Sequence, residues 1–225
     1  MSRENQELRD LILLATLPHV VFEGWSDAAL QAGVADLGDV AQIGRDAVPR
    51  AFPGGLSDLA AHFSDWADRR MVAEMAKLDM DSLKIRQRIA SGVQCRLQVL
   101  APHREAVRRC LTYLTMPQHA GVSMKCTYNT VSEIWYAIGD ESADFSFYTK
   151  RASLAAVLAA TVLYWLADEG DGDGDFPETW AFLDRRIGEV LKMIQTRIRL
   201  TKKLSDMPSP LSFCKRFADA AQARR

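Results

Sequence analysis

A tight turn followed by the start of a helix is encoded at residues 52–59, Phe-Pro-Gly-Gly-Leu-Ser-Asp-Leu. Proline and two consecutive glycines interrupt regular structure, and the apolar residues after them recur at the helical spacing of three and four positions. The same spacing extends through almost the whole chain, and no stretch alternates convincingly with the period of two that a half-buried strand requires. The sequence therefore predicts an all-α protein in which a long helix begins directly after this turn.

Further helices are predicted on both sides of the turn. Before it, helices are expected over 4–22, 27–37 and 39–48, with Gly24 ending the first and Ser26 capping the second. After it, they are expected over 56–80, 82–100, 102–116, 120–138, 144–168 and 176–199, followed by a linker and a short helix over 211–222. Asp175 and Glu178 have the spacing of a capping pair for the helix that starts near 176. We therefore predict three parts: a helix-turn-helix subdomain (1–55), a helical domain (56–200) and a terminal segment (201–225).

The first three helices and the turn resemble the helix-turn-helix half of TetR-type repressors. DNA affinity comes mainly from cations that neutralise phosphates. From Ser26 to Val48 the chain has four acids and one base, a net charge of −3: Asp27, Asp36, Asp39 and Asp46 against Arg45. In the predicted third helix only Gln42 and Arg45 could read base edges. We expect a TetR-like bundle that does not bind nucleic acid, and a ligand-responsive repressor is the alternative.

Residues for catalysis or metal binding are not recognisable in this sequence. Its four cysteines form no CxxC pair and its four histidines have no metal-ligand spacing. Nucleophile-elbow, P-loop and dinucleotide-binding motifs are also absent. The polar residues 2–7 are not typical of a signal peptide. We therefore expect a protein that is not an enzyme and has no metal or cofactor, in a reducing compartment.

Three downstream helices carry apolar residues in stripes or, over 144–168, nearly all round. The 16 residues from Ala152 to Ala167 carry no charge, which is short of the roughly 20 that a membrane span needs. A helix that is apolar on every side forms the core, lines a ligand cavity or joins an oligomer interface. Five alanines between 152 and 160 favour a void, which suits an apolar ligand. The candidate lipid-binding residues are Met124, Tyr128, Val131, Trp135, Leu154, Val157, Leu158, Thr161, Val162, Trp165, Leu183, Ile187 and Leu191.

The segment from 135 to 151 carries the most specific motif, Trp135-x-x-x-Gly139-Asp140-x-Ser142-x-Asp144-Phe145-x-x-Tyr148-Thr149-Lys150-Arg151. It is similar to a pattern of the coenzyme Q biosynthesis protein nine family, a group of lipid-binding accessory proteins. Further matches are Gly24-Trp25, the Phe52–Gly55 turn and Met116-Pro117. The resemblance implies a TetR-like helical fold that holds an isoprenoid or phospholipid ligand rather than acting as a repressor.

The resemblance also implies a partner, the di-iron hydroxylase that acts on demethoxyubiquinone. The protein would present a polyprenylated quinone precursor to that enzyme, and we expect it to form a homodimer. Carried across to this sequence, the partner surface consists of Asp140, Asp144, Phe147, Tyr148, Lys150 and Arg151. Phe147 stands where the family usually has tryptophan.

The terminal segment combines positive charge with an apolar stripe. From Arg197 to Arg225 the chain carries eight bases and two acids, a net charge of +6. A basic amphipathic helix on a proline linker is typical of an interfacial membrane anchor, and a helix folded back on the core is the alternative. We expect peripheral binding at the inner face of a bacterial inner membrane, or at the matrix side in mitochondria. The membrane-binding candidates are Leu211, Phe213, Lys215, Arg216 and Phe217.

Overall fold

The computed structural model describes residues 3–38, 47–139, 145–172 and 174–205, with the side chains of all of these except 145–147 and 194–205. Over these residues the chain forms nine α-helices and no strand, which confirms the all-α prediction. They are α1 (Arg3–Glu23), α2 (Asp27–Leu37), α3 (Ala47–Ala51), α4 (Leu56–Met75), α5 (Ile85–Leu100), α6 (Arg104–Leu114), α7 (Ala120–Ala137), α8 (Phe145–Ala167) and α9 (Pro177–Ser205). The chain divides into two compact units between Asp184 and Arg185, within α9. The division into three parts stays a prediction.

The connection between α1 and α2 follows the predicted chemistry. Gly24 ends α1 with a φ of +69°, a value that L side chains rarely adopt. The Ser26 hydroxyl then accepts a hydrogen bond from the Ala29 N–H at 3.2 Å, which confirms the predicted cap. The two helices approach closely at Gly33, where an added Cβ would come within 2.6 Å of the Thr16 backbone.

The turn at residues 53–55 precedes α4 as predicted. The Gly54 N–H donates to the Asp58 carboxylate at 2.7 Å, and the Trp25 indole N–H donates to the Leu56 carbonyl at 3.2 Å. The third helix differs from the prediction, because α3 continues past Pro49 to Ala51. A proline in the first turn removes only an N–H that has no intrahelical partner. Residues 39–46 of the predicted third helix lie outside the described residues.

Three predicted helix boundaries in the middle of the chain are wrong. The helix expected over 56–80 ends at Met75, and the one expected from 82 begins at Ile85. Between them Met80–Ser82 form a 3-10 turn, in which the Ser82 hydroxyl donates to the Asp79 carbonyl at 2.9 Å. Such local side-chain bonds compete with the helix. Pro102 likewise lies in a 3-10 turn (Ala101–His103), so α6 begins at Arg104.

A polar cluster joins α1 to α4. The Asp10 carboxylate accepts hydrogen bonds from Arg69 at 2.7 and 3.1 Å, and it lies 2.7 Å from the ring of buried His62. Burial lowers the pKa of His62, Arg9 lowers it further, and Asp10 opposes both. The cluster fixes the orientation of α4, whose other face lines the cavity described below.

Helix α8 packs into the first unit and is held at its C-terminal end. Thr161 and Trp165 are fully buried. The Arg108 guanidinium donates to the Leu166 carbonyl at 2.7 Å, and Arg104 donates to the carbonyls of Trp165 and Asp168. By length and composition alone Tyr148–Ala167 could cross a membrane, but core helices meet the same criterion, and 39% of this window is buried inside the protein.

The start of α9 is capped by a different residue from the one predicted. The Asp168 carboxylate accepts from the Thr179 N–H at 3.0 Å and from the Thr179 hydroxyl at 2.6 Å. Asp175 instead accepts from the Trp180 indole N–H at 2.6 Å. The cap therefore comes from the end of α8, because the loop folds back and brings Asp168 beside the first turn of α9.

Candidate functional site

A cavity of about 280 Å³ lies among α4, α5, α6, α7 and α8. Its wall is mainly apolar, and all five helices contribute lining residues. The buried apolar residues of the lining are Ala60, Phe63, Leu100, Val107, Cys110, Leu114 and Leu158. A concave, mostly apolar site with a few polar groups is the usual form of a small-molecule site.

The mouth of the cavity is marked by the lining residues that reach solvent. These residues, Thr115, Ala159 and Leu163, are exposed, and the Leu163 side chain is 65% exposed. Ser123 and Thr127 on α7 line the cavity and are half-buried. Along α7 the lining runs from Ser123 to Thr130, about 10 Å at 1.5 Å per residue. The site therefore extends from solvent to a buried end.

The floor of the cavity, at its buried end, is polar and consists of Ser64, Arg96 and Thr130. Arg96 forms an ion pair with buried Asp68 and donates a second hydrogen bond to the Ser64 hydroxyl at 3.0 Å. The Thr130 hydroxyl lies 3.1 Å from the other oxygen of Asp68 and 3.1 Å from the Cys126 carbonyl. A buried ion pair with additional hydrogen bonds avoids the cost of leaving either charge unpaired.

The carboxylate of this pair has a raised pKa. Burial raises the pKa of Asp68 to about 6, although Arg96 and the Thr130 hydroxyl both lower it. The direction follows from desolvation, which penalises the charged form of the carboxyl group. The ion pair with Arg96 favours the ionised form of Asp68, and the paired carboxylate and guanidinium leave the floor without net charge.

Two thiols line the cavity, and both are poor nucleophiles. Burial raises the pKa of Cys110 and of Cys126 above the ordinary value for cysteine. The thiolate is the reactive form, and at neutral pH both groups are therefore protonated. Within the part of the chain that the structure describes, no group of three or more His, Cys, Asp or Glu side chains could hold a metal ion.

The predicted lipid-binding residues do not all lie at this cavity. Leu158 and Val162 line it, whereas Met124 and Tyr128 are exposed on α7 next to the lining residues Ser123 and Thr127. Ile187 and Leu191 belong to the second unit. The remaining candidates are buried in helix packing and are not part of the lining: Val131, Trp135, Leu154, Val157, Thr161, Trp165 and Leu183. A lipid contact at any of these residues stays a prediction.

The predicted partner surface is only partly described. Tyr148 is 68% exposed, as a contact residue should be. Arg151 is only 3% exposed, its guanidinium donates to the Ser132 hydroxyl at 3.1 Å, and it stacks over the Tyr136 ring at 5.2 Å. Its expected surface position is therefore wrong, because the helical turn directs it against α7. Lys150 is half-buried, with its ammonium group 5.4 Å from the Trp135 ring centroid.

Asp140 and Asp144, like the side chain of Phe147, lie outside the described residues. The same holds for the whole predicted membrane helix, including Leu211, Phe213, Lys215, Arg216 and Phe217.

Sequence reasoning missed the polar floor, although one signal was available. Ile89, Val93, Arg96 and Leu100 recur at the spacing of one face of α5, so Arg96 interrupts an apolar stripe. A charge in such a position must be paired once it is buried. Its partner Asp68 is 28 positions away on α4, and only the packing of the two helices identifies it.

The comparisons with known proteins confirm the resemblance predicted from the sequence. The family model described as COQ9 matches residues 120–194. The mitochondrial ubiquinone biosynthesis protein COQ9 of Rattus norvegicus is 31% identical over 198 residues, covering 85% of this chain and 61% of the relative. The Homo sapiens protein of the same name is also 31% identical, with 85% and 60% covered. The chain thus spans about 60% of the length of these relatives.

A solved structure shows the same fold. The TetR transcriptional regulator from Nitrosomonas europaea superposes with a TM-score of 0.60 at 18% identity, covering 82% of this chain and 98% of the regulator. At this identity the likeness concerns the fold alone. The chain is therefore a TetR-like helical protein whose sequence is similar to the COQ9 proteins.

Proposed function

We propose that this protein is a non-enzymatic carrier of isoprenoid lipid in ubiquinone biosynthesis. It binds a polyprenylated quinone precursor and presents it to the di-iron hydroxylase that acts on demethoxyubiquinone. The observation that carries the proposal is the cavity among α4 to α8, with its apolar wall and a mouth that reaches solvent. The names of the similar proteins supply the pathway.

The apolar wall supplies the affinity that such a carrier needs. Removing one CH₂ group from water is worth about 0.8 kcal/mol, so a few isoprene units contribute several kcal/mol without any polar contact. The size of the cavity limits how much of the lipid enters. An apolar cavity of roughly 150 Å³ holds one benzene molecule, and 280 Å³ therefore accommodates about twice as many atoms. The greater part of a long tail must lie outside the cavity.

The chemistry of the wall supports a carrier rather than an enzyme acting on the lipid. The two thiols that line the cavity have raised pKa values and are protonated at neutral pH. The charges at the floor are engaged with each other. The lipid would accordingly be held and transferred to its partner without covalent change.

The partner and the membrane complete the proposal. Tyr136 and Tyr148 are both largely exposed, and exposed aromatic side chains are frequent anchors of protein interfaces. The basic stretch from Arg197 to Arg225, whose net charge is +6, would hold the carrier on an anionic membrane surface. The proposed location is the matrix face in mitochondria or the inner face of a bacterial inner membrane, where the protein acts as a homodimer.

Two alanines on α8 allow a matched test of the cavity. Ala159 lines it at the mouth, whereas Ala156 is exposed on the same helix and is not part of the lining. We expect Ala159→Phe to fill the entrance and reduce the co-purified lipid by at least half, while Ala156→Phe keeps the full load. Native mass spectrometry of protein purified from its host measures both. Equal lipid loads in the two folded variants would place the lipid elsewhere, and a wild-type protein that never carries lipid would refute the carrier function.

A ligand-responsive repressor is the second candidate, favoured by the structural likeness to a TetR regulator. The net charge of −3 over residues 26–48 opposes it, because phosphate contacts require cations. We expect no mobility shift of duplex DNA even at low salt. A sequence-specific shift that Arg45→Ala abolished would favour the repressor instead.

A further inference from the structure

The floor of the cavity has hydrogen-bond donors that its protein partners do not use. A guanidinium group carries five N–H donors. Within the described residues Arg96 gives one to Asp68 and one to Ser64. Donors therefore remain at the buried end of an otherwise apolar site. A ligand that filled this end with hydrocarbon alone would leave them without an acceptor, which is costly in a buried position.

The charge of the floor selects the kind of acceptor. The positive charge of Arg96 is matched by the carboxylate of Asp68, which the Thr130 hydroxyl also contacts. An anionic group such as a phosphate or carboxylate would gain the attraction of Arg96 but would also meet the like charge of Asp68. A neutral oxygen avoids that repulsion and can still accept from the guanidinium. The floor is therefore better suited to a carbonyl or phenol oxygen than to an acid.

The dimensions point to a ring rather than a tail. The 280 Å³ of the cavity matches one substituted six-membered ring, whereas a polyprenyl chain is several times larger. Beside the lining residues Ser123 and Thr127 on α7, two large apolar side chains are exposed: Met124 is 73% and Tyr128, one turn further, is 48% exposed. These two residues, the apolar strip, offer a surface for the part of a lipid that does not enter.

We propose that the cavity takes a quinone-type lipid ring-first, with a neutral ring oxygen hydrogen-bonded to Arg96 and the isoprenoid tail lying on the apolar strip. This inference rests on the proposed carrier function and specifies the orientation of its ligand. The bound state is then a carrying state, in which the ring is shielded from solvent. Presentation to an enzyme requires the ring to leave through the mouth at Thr115, Ala159 and Leu163.

The test uses the full-length protein and two separate halves of the ligand. The ring half is 2,3-dimethoxy-5-methyl-1,4-benzoquinone, which has no tail, and the tail half is the hydrocarbon farnesane. The floor is altered by the double variant Asp68→Leu/Arg96→Met, because replacing a buried ion pair by apolar residues of similar size often preserves stability. The double variant Asp184→Leu/Arg86→Met is the matched control, because it makes the same substitutions at an ion pair that does not line the cavity. Circular dichroism verifies that each variant is folded.

We expect the ring to bind the wild type and the Asp184→Leu/Arg86→Met control alike, measured by isothermal titration calorimetry. The Asp68→Leu/Arg96→Met variant should lose at least ten-fold in ring affinity and keep its farnesane affinity. Two results would overturn the ring-first orientation and leave the carrier function intact. One is equal ring affinity in all three proteins, and the other is a wild type that binds farnesane but does not bind the ring. If ring, farnesane and intact lipid all fail to bind the folded wild type, the carrier function itself is refuted.

A second pair of variants tests the position of the tail. Met124→Ser and Tyr128→Ser should weaken binding of a prenylated quinone several-fold and leave binding of the tail-less ring unchanged. Leu78→Ser is the control, because Leu78 is an exposed apolar residue that does not line the cavity. Loss of the tail-less ring, or an equal effect of the control, would contradict the tail position.

Discussion

At the scale of single residues, a few polar side chains determine how the helices around the cavity are held. Asp168 caps α9 through Thr179, and its backbone carbonyl accepts from Arg104. Asp68 and Arg96 pair between α4 and α5, and Thr130 extends this network to α7. Each of these two networks joins at least two helices, so a single substitution alters the relative position of whole elements.

Asp168 gives a prediction with a defined dependence on pH. Its hydrogen bonds from Thr179 lower the pKa of this carboxyl group, with smaller help from the Gly170 N–H and from Arg104. A lowered pKa in the folded state adds stability that is present above the unfolded pKa, near 4, and is lost as the pH falls through the folded value. We expect Asp168→Ala to reduce the free energy of unfolding by about 1 kcal/mol at pH 7. The difference in the free energy of unfolding between wild type and Asp168→Ala should shrink as the pH falls below about 4.

The matched control for this prediction is Asp168→Asn. Its amide oxygen can still accept from the Thr179 N–H, but it does not titrate. We therefore expect Asp168→Asn to keep most of the stability at pH 7. Its free energy of unfolding should change little with pH through this position. Urea denaturation at several pH values measures all three proteins, and a constant difference between wild type and Asp168→Ala from pH 7 to pH 3 would contradict the assignment.

At the scale of elements, α7 and α8 combine three surfaces. One face of each packs in the core, a second lines the cavity, and a third exposes aromatic and apolar side chains. The neighbouring residues Tyr148 and Arg151 illustrate the division, because one is exposed and the other is buried against α7. Substitutions one turn apart on α8 should therefore affect different properties.

The contrast between these two residues can be measured directly. We expect Tyr148→Ala to weaken binding of the proposed hydroxylase about ten-fold, because exposed aromatics act as interface anchors, and to change the melting temperature by less than about 2 °C. Arg151→Glu should instead destabilise the fold by several kcal/mol, since it buries an acid in place of a hydrogen-bonded base. Surface plasmon resonance and thermal unfolding separate the two effects. A large fall in melting temperature for Tyr148→Ala would identify it as a core residue.

At the scale of the whole molecule, the proposed carrier needs both a cavity and a means of reaching the bilayer. The cavity is formed entirely by residues of the first unit. The bases proposed to bind lipid headgroups are concentrated near the end of the chain. Lipid binding and membrane binding should therefore be separable.

Truncation after Ser205 tests that separation. Each Lys or Arg near an anionic surface contributes about 1 kcal/mol, and the removed segment contains Lys215, Arg216, Arg224 and Arg225. We expect liposome flotation to fall sharply, most of all with anionic vesicles, while the truncated protein stays folded and keeps its lipid. Phe217→Asp in the full-length chain should reproduce much of the loss by interrupting the apolar stripe. Unchanged flotation of the truncated protein would mean that another surface contacts the membrane.

Local features of this protein could be predicted from the sequence because their causes lie within a few residues. The end of α1 at Gly24, the cap at Ser26 and the turn before α4 each depend on adjacent side chains and backbone angles. The helical periodicity in the same way determined the all-α class. Helix ends were less predictable where a tertiary partner competes with the local pattern, as Asp168 does with Asp175 at the start of α9.

The cavity and its polar floor were decided only by the tertiary structure. A cavity exists where the side chains of five helices do not fill the space between them, and this unfilled space cannot be predicted from any single stretch of sequence. An apolar stripe shows that a face is buried but not what covers it, so residues such as Val131 and Leu183 could not be distinguished from the true lining residues Leu158 and Val162. Likewise, the sequence places Arg96 on an apolar face. Only the packing of α4 against α5 supplies the carboxylate of Asp68, which pairs with the buried charge of Arg96 and offsets its loss of solvation.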